Sequence, residues 1–177
     1  MYVARTAVIT GDVAIGKDSS VWHGAVLRGD LDSIRVGGNV SVQDNAVVHV
    51  DVGNPVLIGD RVTVGHGAIV HGCTVGHDCI VGMASVIASR AQVGSGSIIG
   101  AGAVVPEGAE IPENSIALGV PARVVKPAED WHRMRIELSW RAYTELAKAS
   151  LPACKERKAS PAKKIRFTGS NDLRGKF

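Results

Sequence analysis

A chain of 177 residues has room for one domain with a real core and too little for two of ordinary size. Hydrophobic residues make up 45% of it but aromatic ones only 4%, and there are 21 glycines, so Val, Ile, Leu and Ala must fill a narrow, repetitive interior. The net charge of +3 hides a division, because residues 151–177 carry eight Lys and Arg against Glu156 and Asp172, which leaves the first 150 residues at −3.

The N-terminus, MYVARTAVITGDVAIG, lacks the basic start and apolar block of a signal peptide. No apolar run approaches the ~20 residues a membrane span needs. Cys73, Cys79 and Cys154 form no CxxC pair and no even set, which fits a reducing compartment. The expectation is a soluble, cytoplasmic protein. The basic end has no aromatic interleaving and no nucleic-acid module, so it reads as a solvated tail, with neither nucleic acid nor membrane as partner.

From the N-terminus onward an aliphatic residue recurs every six positions: Val3, Ile9, Ile15, Val21, Leu27, then Val36, Val42, Val48, then Ile58, Val64, Val70. The series continues through Val75, Val81, Ile87, Val93, Ile99, Val105 and Ile111. It is interrupted by extra residues near 30–34 and 50–56 and by one deletion after Val70. Four places along in most units stands a small residue, among them Ser19, Ala25, Ala46, Ala68, Thr74, Cys79, Ser85, Ala91, Ser97 and Ala103. Ordinary short strands do not keep a fixed spacing of six. One large and one small inward residue per six describe an all-β solenoid, a parallel β-helix of hexapeptide repeats. Three units make one coil, coils stack at the ~4.8 Å strand spacing, and the series gives about six coils.

After the last coil, Trp131, Met134, Leu138, Tyr143 and Leu146 recur at roughly helical spacing. They predict a C-terminal α-helix over 128–150 that packs this stripe back on the β-helix, with Trp140 as a further contact. The expected organisation is therefore 1–125 as β-helix, 126–150 as the docked helix and 151–177 as the tail.

Histidines interrupt the pattern at VGHGAIVHGC, residues 64–73. Leu27, Val48 and Val70 are one coil apart, so Arg28, His49 and His71 directly after them should stack in one column. His66 stands two places after Val64, in another column, with Asp44 one coil below and His23 two coils below. Two stacked imidazoles can share one metal ion, since a metal–nitrogen bond is about 2.0–2.1 Å. His66 cannot easily meet that ion within one chain. A threefold oligomer can bring one subunit's His66 to its neighbour's His49 and His71, and three histidines with one open position make a catalytic zinc set. His77 on the third face and His132 on the helix read as surface imidazoles.

With these residues in place, the chain resembles the γ-class carbonic anhydrases. The motifs are AVLRGD (25–30), SVQDNAVVH (41–49), VTVGHGAIVHGC (62–73), VGMAS (81–85) and LGVPAR (118–123). The resemblance implies a left-handed β-helix assembled as a homotrimer. It also implies metal ligands His49 and His71 from one subunit and His66 from the next, with Arg28 and Asp30 as an intersubunit ion pair. Gln43 matches the glutamine that hydrogen-bonds the metal's water, and Asp44 the aspartate beside it. The implied activity is reversible hydration of CO2 to bicarbonate by a metal-bound hydroxide. Zinc is the expected ion, and imidazole ligands suit Fe(II) and Co(II) as well.

The chain departs from the best-characterised branch in the loop after His49. That branch carries a longer acidic loop with a glutamate proton shuttle, whereas here the loop is VDVGNP and only Asp51 or His23 stands in reserve. Leu31 and Ser41 replace a glutamate and an asparagine of that branch. Two other readings share the repeat: a metal-binding trimer with little or no carbonic anhydrase activity, and a hexapeptide acyltransferase. An acyltransferase needs one basic histidine and does not predict histidines on two columns beside Arg28, Asp30 and Gln43.

Overall fold

Each unit of the repeat pairs in parallel with the unit three places on, which winds the chain into a left-handed β-solenoid of about six turns. This computed structural model describes residues 1–150, and the basic segment 151–177, with Cys154, lies outside the described residues. One face stacks Val3, Val21, Val42, Val64, Val81, Ile99 and Ala117. The second stacks Ile9, Leu27, Val48, Val70, Ile87 and Val105, and the third Ile15, Val36, Ile58, Val75, Val93 and Ile111. Most of these side chains are fully buried, and small residues such as Ala25, Ala46, Ala68, Ser85 and Ser97 fill the narrow interior between them. Each buried Val or Ile contributes about 1.5–3 kcal/mol.

The irregularities of the repeat have distinct fates. The extra residues near 30–34 do not break the coil. They lie within one strand, Val26–Val36, which runs from the second face to the third beside Val8–Ile15, with a register shift between Gly11 and Val13. The insertion at 50–56 forms a short loop closed by an Asp51–Asn54 bridge. The deletion after Val70 moves the inward small position by one, so Cys73 is buried and Thr74, expected there, faces out. The strand Arg123–Pro127 pairs antiparallel with Ser115–Leu118 and covers the open edge of the last coil, so the sheet extends beyond the expected boundary at 125.

The helix runs from Asp130 to Ala149. It docks on the first face with the side opposite to the one expected. His132, Ile136, Thr144 and Ala147 are buried, while Trp131, Met134, Leu138 and Leu146 are 51–63% exposed. The sheet explains the choice. Its outward residues are Ile80, Ile98 and Ile116 near one end, where Ile136 and Trp140 pack, and Ser20, Ser41 and Thr63 near the other. The small polar end allows close approach: Ser139 Oγ lies 3.0 Å from Thr63 Oγ1, and the buried Ala147 joins the main core. Of the expected stripe only Tyr143 packs inward, edge-on to Trp22. His132 is a buried residue of the helix start rather than a surface one, and its Nδ1 accepts the Glu129 backbone N–H at 3.0 Å. His77 does lie at the surface, where its Nδ1 accepts the Asp60 N–H at 2.9 Å. Among the described residues, no helix is long and apolar enough to cross a membrane.

Burial pushes the Cys73 thiol up to about 12 and the Cys79 thiol up to about 11. A buried thiol that stays protonated is not a nucleophile. In a Cys154→Ser variant, neither thiol should react with a disulfide reagent at pH 8 in the folded protein. Both should react in guanidinium, as absorbance of the released thiolate will show.

Candidate metal centre

The pairing register sets Arg28 opposite His49 and His49 opposite His71, in adjacent coils of the second face. Because the residue before each points inward, all three side chains stand on the outside. His49 Nδ1 and His71 Nε2 lie 3.1 Å apart. His49 turns its other nitrogen, Nε2, to Asp30 Oδ1 at 3.0 Å. Asp30 Oδ2 accepts from Arg28 Nη1 at 2.5 Å, so in the single chain these two side chains pair with each other. Burial works against the ionised form of Asp30, yet the hydrogen bonds from Arg28 and His49 outweigh it and hold its carboxyl below the usual carboxylate range. An ionised carboxylate only accepts. His49 therefore carries its proton on Nε2 and aims the lone pair of Nδ1 at His71.

This arrangement fits a metal ion. Two nitrogens bound at 2.0–2.1 Å to one tetrahedral ion stand about 3.3 Å apart, close to the separation found here. A carboxylate behind a ligating imidazole is the usual outer support of such a site. The pair is nevertheless incomplete. Among the described residues, no three His, Cys, Asp or Glu side chains come together to hold an ion.

His66 stands in the column of the first face, one coil above Asp44 and two above His23. Its Nδ1 meets Asp44 Oδ2 at 3.0 Å, and its Nε2 lies 3.3 Å from the Tyr143 hydroxyl. By the same reasoning Asp44 takes the Nδ1 proton and leaves Nε2 as an outward acceptor. Burial, and then the charge of Asp44, push the Tyr143 hydroxyl above the usual tyrosine range, which keeps it a donor. Gln43, beside Asp44, is 4% exposed, and its side-chain amide makes no hydrogen bond among the described residues. Its amide atoms are not enclosed, since the unpartnered buried side-chain atom among the described residues is Ser41 Oγ, so the Gln43 amide stays open to a polar ligand. His23 is held apart from this cluster, with Nδ1 3.3 Å from Thr6 Oγ1.

Two members of the cluster escaped the sequence reading. Tyr143 arrives from the helix, 77 positions away from His66, and no spacing signals that. Ser89 Oγ lies 2.9 Å from His71 Nδ1. Its signal was present, since 89 is one coil of 18 beyond 71. Beside the histidine pair runs an aliphatic ladder on the outer surface of the same face: Val8, Val26, Val47, Ile69, Val86 and Val104. Val8 and Ile69 on it are exposed and the other four half-buried.

Comparison with known proteins gives the chain its relatives. A model of the family described as bacterial transferase hexapeptide (six repeats) matches residues 72–107. The chain is 54% identical over 50 residues to gamma carbonic anhydrase 2, mitochondrial, of Arabidopsis thaliana, over 28% of this chain and 18% of that protein. It is 52% identical over 56 residues to a protein of Methanocaldococcus jannaschii described as a probable carbonic anhydrase, over 32% of this chain and 35% of that one. The chain thus matches only a fifth to a third of the length of these curated relatives. Over nearly its whole fold it superposes on the crystal structure of a hexapeptide transferase family protein from Anaplasma phagocytophilum. The TM-score is 0.76 and the identity 37%, over 84% of this chain and 92% of that one.

Proposed function

Given that the chain belongs to the hexapeptide-repeat family of left-handed β-helix proteins, we propose that it acts as a γ-class carbonic anhydrase. In this reading it hydrates CO2 reversibly to bicarbonate at the subunit interfaces of a homotrimer. The observation that carries the proposal is the pair of facing nitrogens of His49 and His71, 3.1 Å apart, with the third expected ligand, His66, in a separate column. Joining three chains about a parallel axis completes the set three times over. The aliphatic ladder from Val8 to Val104 supports this assembly, because an outward apolar face next to an incomplete site is what an interface would bury.

His49 and His71 would hold one edge of the ion and the neighbour's His66 a third position. Asp30 and Asp44 keep the proton of His49 and of His66 on the nitrogen that does not bind. When bound, the ion supplies the Lewis acidity that makes water a strong nucleophile near neutral pH. Gln43 offers its unpartnered amide to orient that water or the substrate, and Tyr143 donates a hydrogen bond at the rim. The donor set suits zinc, Fe(II) or Co(II).

The transferase description of the matched family favours acyl transfer as a second reading. It gives no reason for two imidazoles to converge on one edge. Stopped-flow CO2 hydration on protein loaded anaerobically with zinc or Fe(II), beside the metal-free protein, tests the proposal. Hydration that appears with metal and vanishes with chelator is expected. Full metal occupancy without hydration would leave a metal-binding trimer. Thiol release from acyl-CoA with no need for metal would establish the transferase.

A further inference from the structure

We propose that Ser89 and Asp51 are positioning residues that decide which nitrogen of His71 faces the metal ion, an inference that rests on the reading of His71 as a ligand. His71 Nδ1 meets Ser89 Oγ at 2.9 Å, and Ser89 Oγ lies 2.7 Å from Asp51 Oδ2. His71 Nδ1 to Asp51 Oδ2 is 3.6 Å, too long for a direct hydrogen bond, so the hydroxyl is the link between them.

The direction of the protons follows from the acid. A carboxylate accepts and cannot donate, whereas a hydroxyl has one proton and two lone pairs. The Ser89 proton therefore goes to Asp51, and the oxygen can only accept from His71. The ring then holds its proton on Nδ1 and presents the lone pair of Nε2 to His49. Without Asp51 the hydroxyl is free to turn and donate to Nδ1, which favours the other tautomer, with a proton on Nε2 where the ion should bind.

The three groups come from three levels of the solenoid. Asp51 sits in the short loop after His49, closed by its bridge to Asn54, and Ser89 stands one coil beyond His71. The loop VDVGNP thus has a use that does not depend on carrying a proton shuttle: its first acid sets a ligand. His49 receives the equivalent support directly from Asp30. Both imidazoles of the pair are in this way aimed at each other from opposite ends.

The test reads the tautomer without any metal. In the empty site the facing lone pair of His49, 3.1 Å away, would itself bias His71, so the spectra are taken in a His49→Ala background. Two-bond proton–nitrogen correlation spectra of that 15N-labelled metal-free protein at pH 8 should show His71 as the Nδ1–H form. Ser89→Ala and Asp51→Ala should each give a mixture, and Ser89→Thr, which keeps the hydroxyl, should restore the wild-type pattern. Zinc affinity by chelator competition should fall about 10- to 100-fold in the two alanine variants, as for other outer-sphere partners of a ligand, and return in Ser89→Thr. A His71 protonated on Nε2 in the His49→Ala background with Ser89 and Asp51 intact, or a tautomer and affinity unchanged by Ser89→Ala, would overturn the assignment. Wild-type protein that takes up no zinc, beside a Ser89-dependent Nδ1–H form in the His49→Ala background, would instead sink the metal reading and keep the positioning one.

Discussion

Mixed trimers of two inactive variants are expected to recover activity that neither has alone. In the proposed trimer, His66→Ala removes the ligand supplied across the interface, and His71→Ala removes one of the pair that it faces. Each variant should lose about 10²-fold or more of metal-dependent CO2 hydration, since a site short of one of its three ligands holds the ion poorly. When the two are unfolded together and reassembled at equal ratio, one interface in about four joins an intact His49/His71 pair to an intact His66. Hydration and bound zinc should then both rise to about a quarter of the wild-type level. A site completed within one chain gives no such recovery, and parallel loss with no rescue would refute the shared site. The readout also separates ligand loss from misfolding, because a variant that cannot fold cannot complement.

Replacing Gly82 by alanine is expected to destabilise the solenoid strongly. A Cβ at Gly82 would lie 2.6 Å from Ala101 N, Gly100 C and Ile99 O, all backbone atoms of the next coil. Side chains can turn away, but stacked backbones held by parallel hydrogen bonds cannot. Overpacking of this kind costs about 1–3 kcal/mol or more, and in a solenoid it falls on the contact between neighbouring coils. Gly67 provides the control. It has φ of +66 with nothing within 4 Å of an added Cβ, so Gly67→Ala incurs only the left-handed backbone strain of about 1 kcal/mol. Thermal melts should show a loss of about 3 °C for Gly67→Ala and about 10 °C for Gly82→Ala, scaled as for a domain of this size. Equal shifts would mean that the coils are not packed backbone to backbone at Gly82.

Much of this fold is legible in the chain because a hexapeptide solenoid is nearly one-dimensional. Each coil touches only its neighbours, so a residue's surroundings follow from its place in the series. Arg28, His49 and His71 stack where the spacing put them, and so do His23, Asp44 and His66. The same regularity hides errors at its breaks. The one-residue deletion after Val70 put Thr74 where Cys73 belongs, because counting in sixes cannot say which side of a gap is displaced.

The helix marks the limit. Its own pattern favours Trp131, Met134 and Leu138 as the docking stripe, since they are the larger apolar residues at helical spacing. The surface it meets is lined by Ser20, Ser41, Thr63 and three isoleucines, and beside the expected Trp140 it selects Ile136, Thr144 and Ala147 instead. That outcome depends on the shapes of two elements together, which neither segment encodes alone. It also brings Tyr143 to His66.

The sequence by itself thus determined the period, the coil and the columns in which the candidate residues stand, because parallel stacking converts spacing directly into position. Only the tertiary structure decided the direction of each ring nitrogen, the contacts through which Asp30, Asp44, Ser89 and Asp51 orient those rings, and the face of the helix. Those depend on side-chain rotamers and on contacts between distant segments, and the repeat leaves both free.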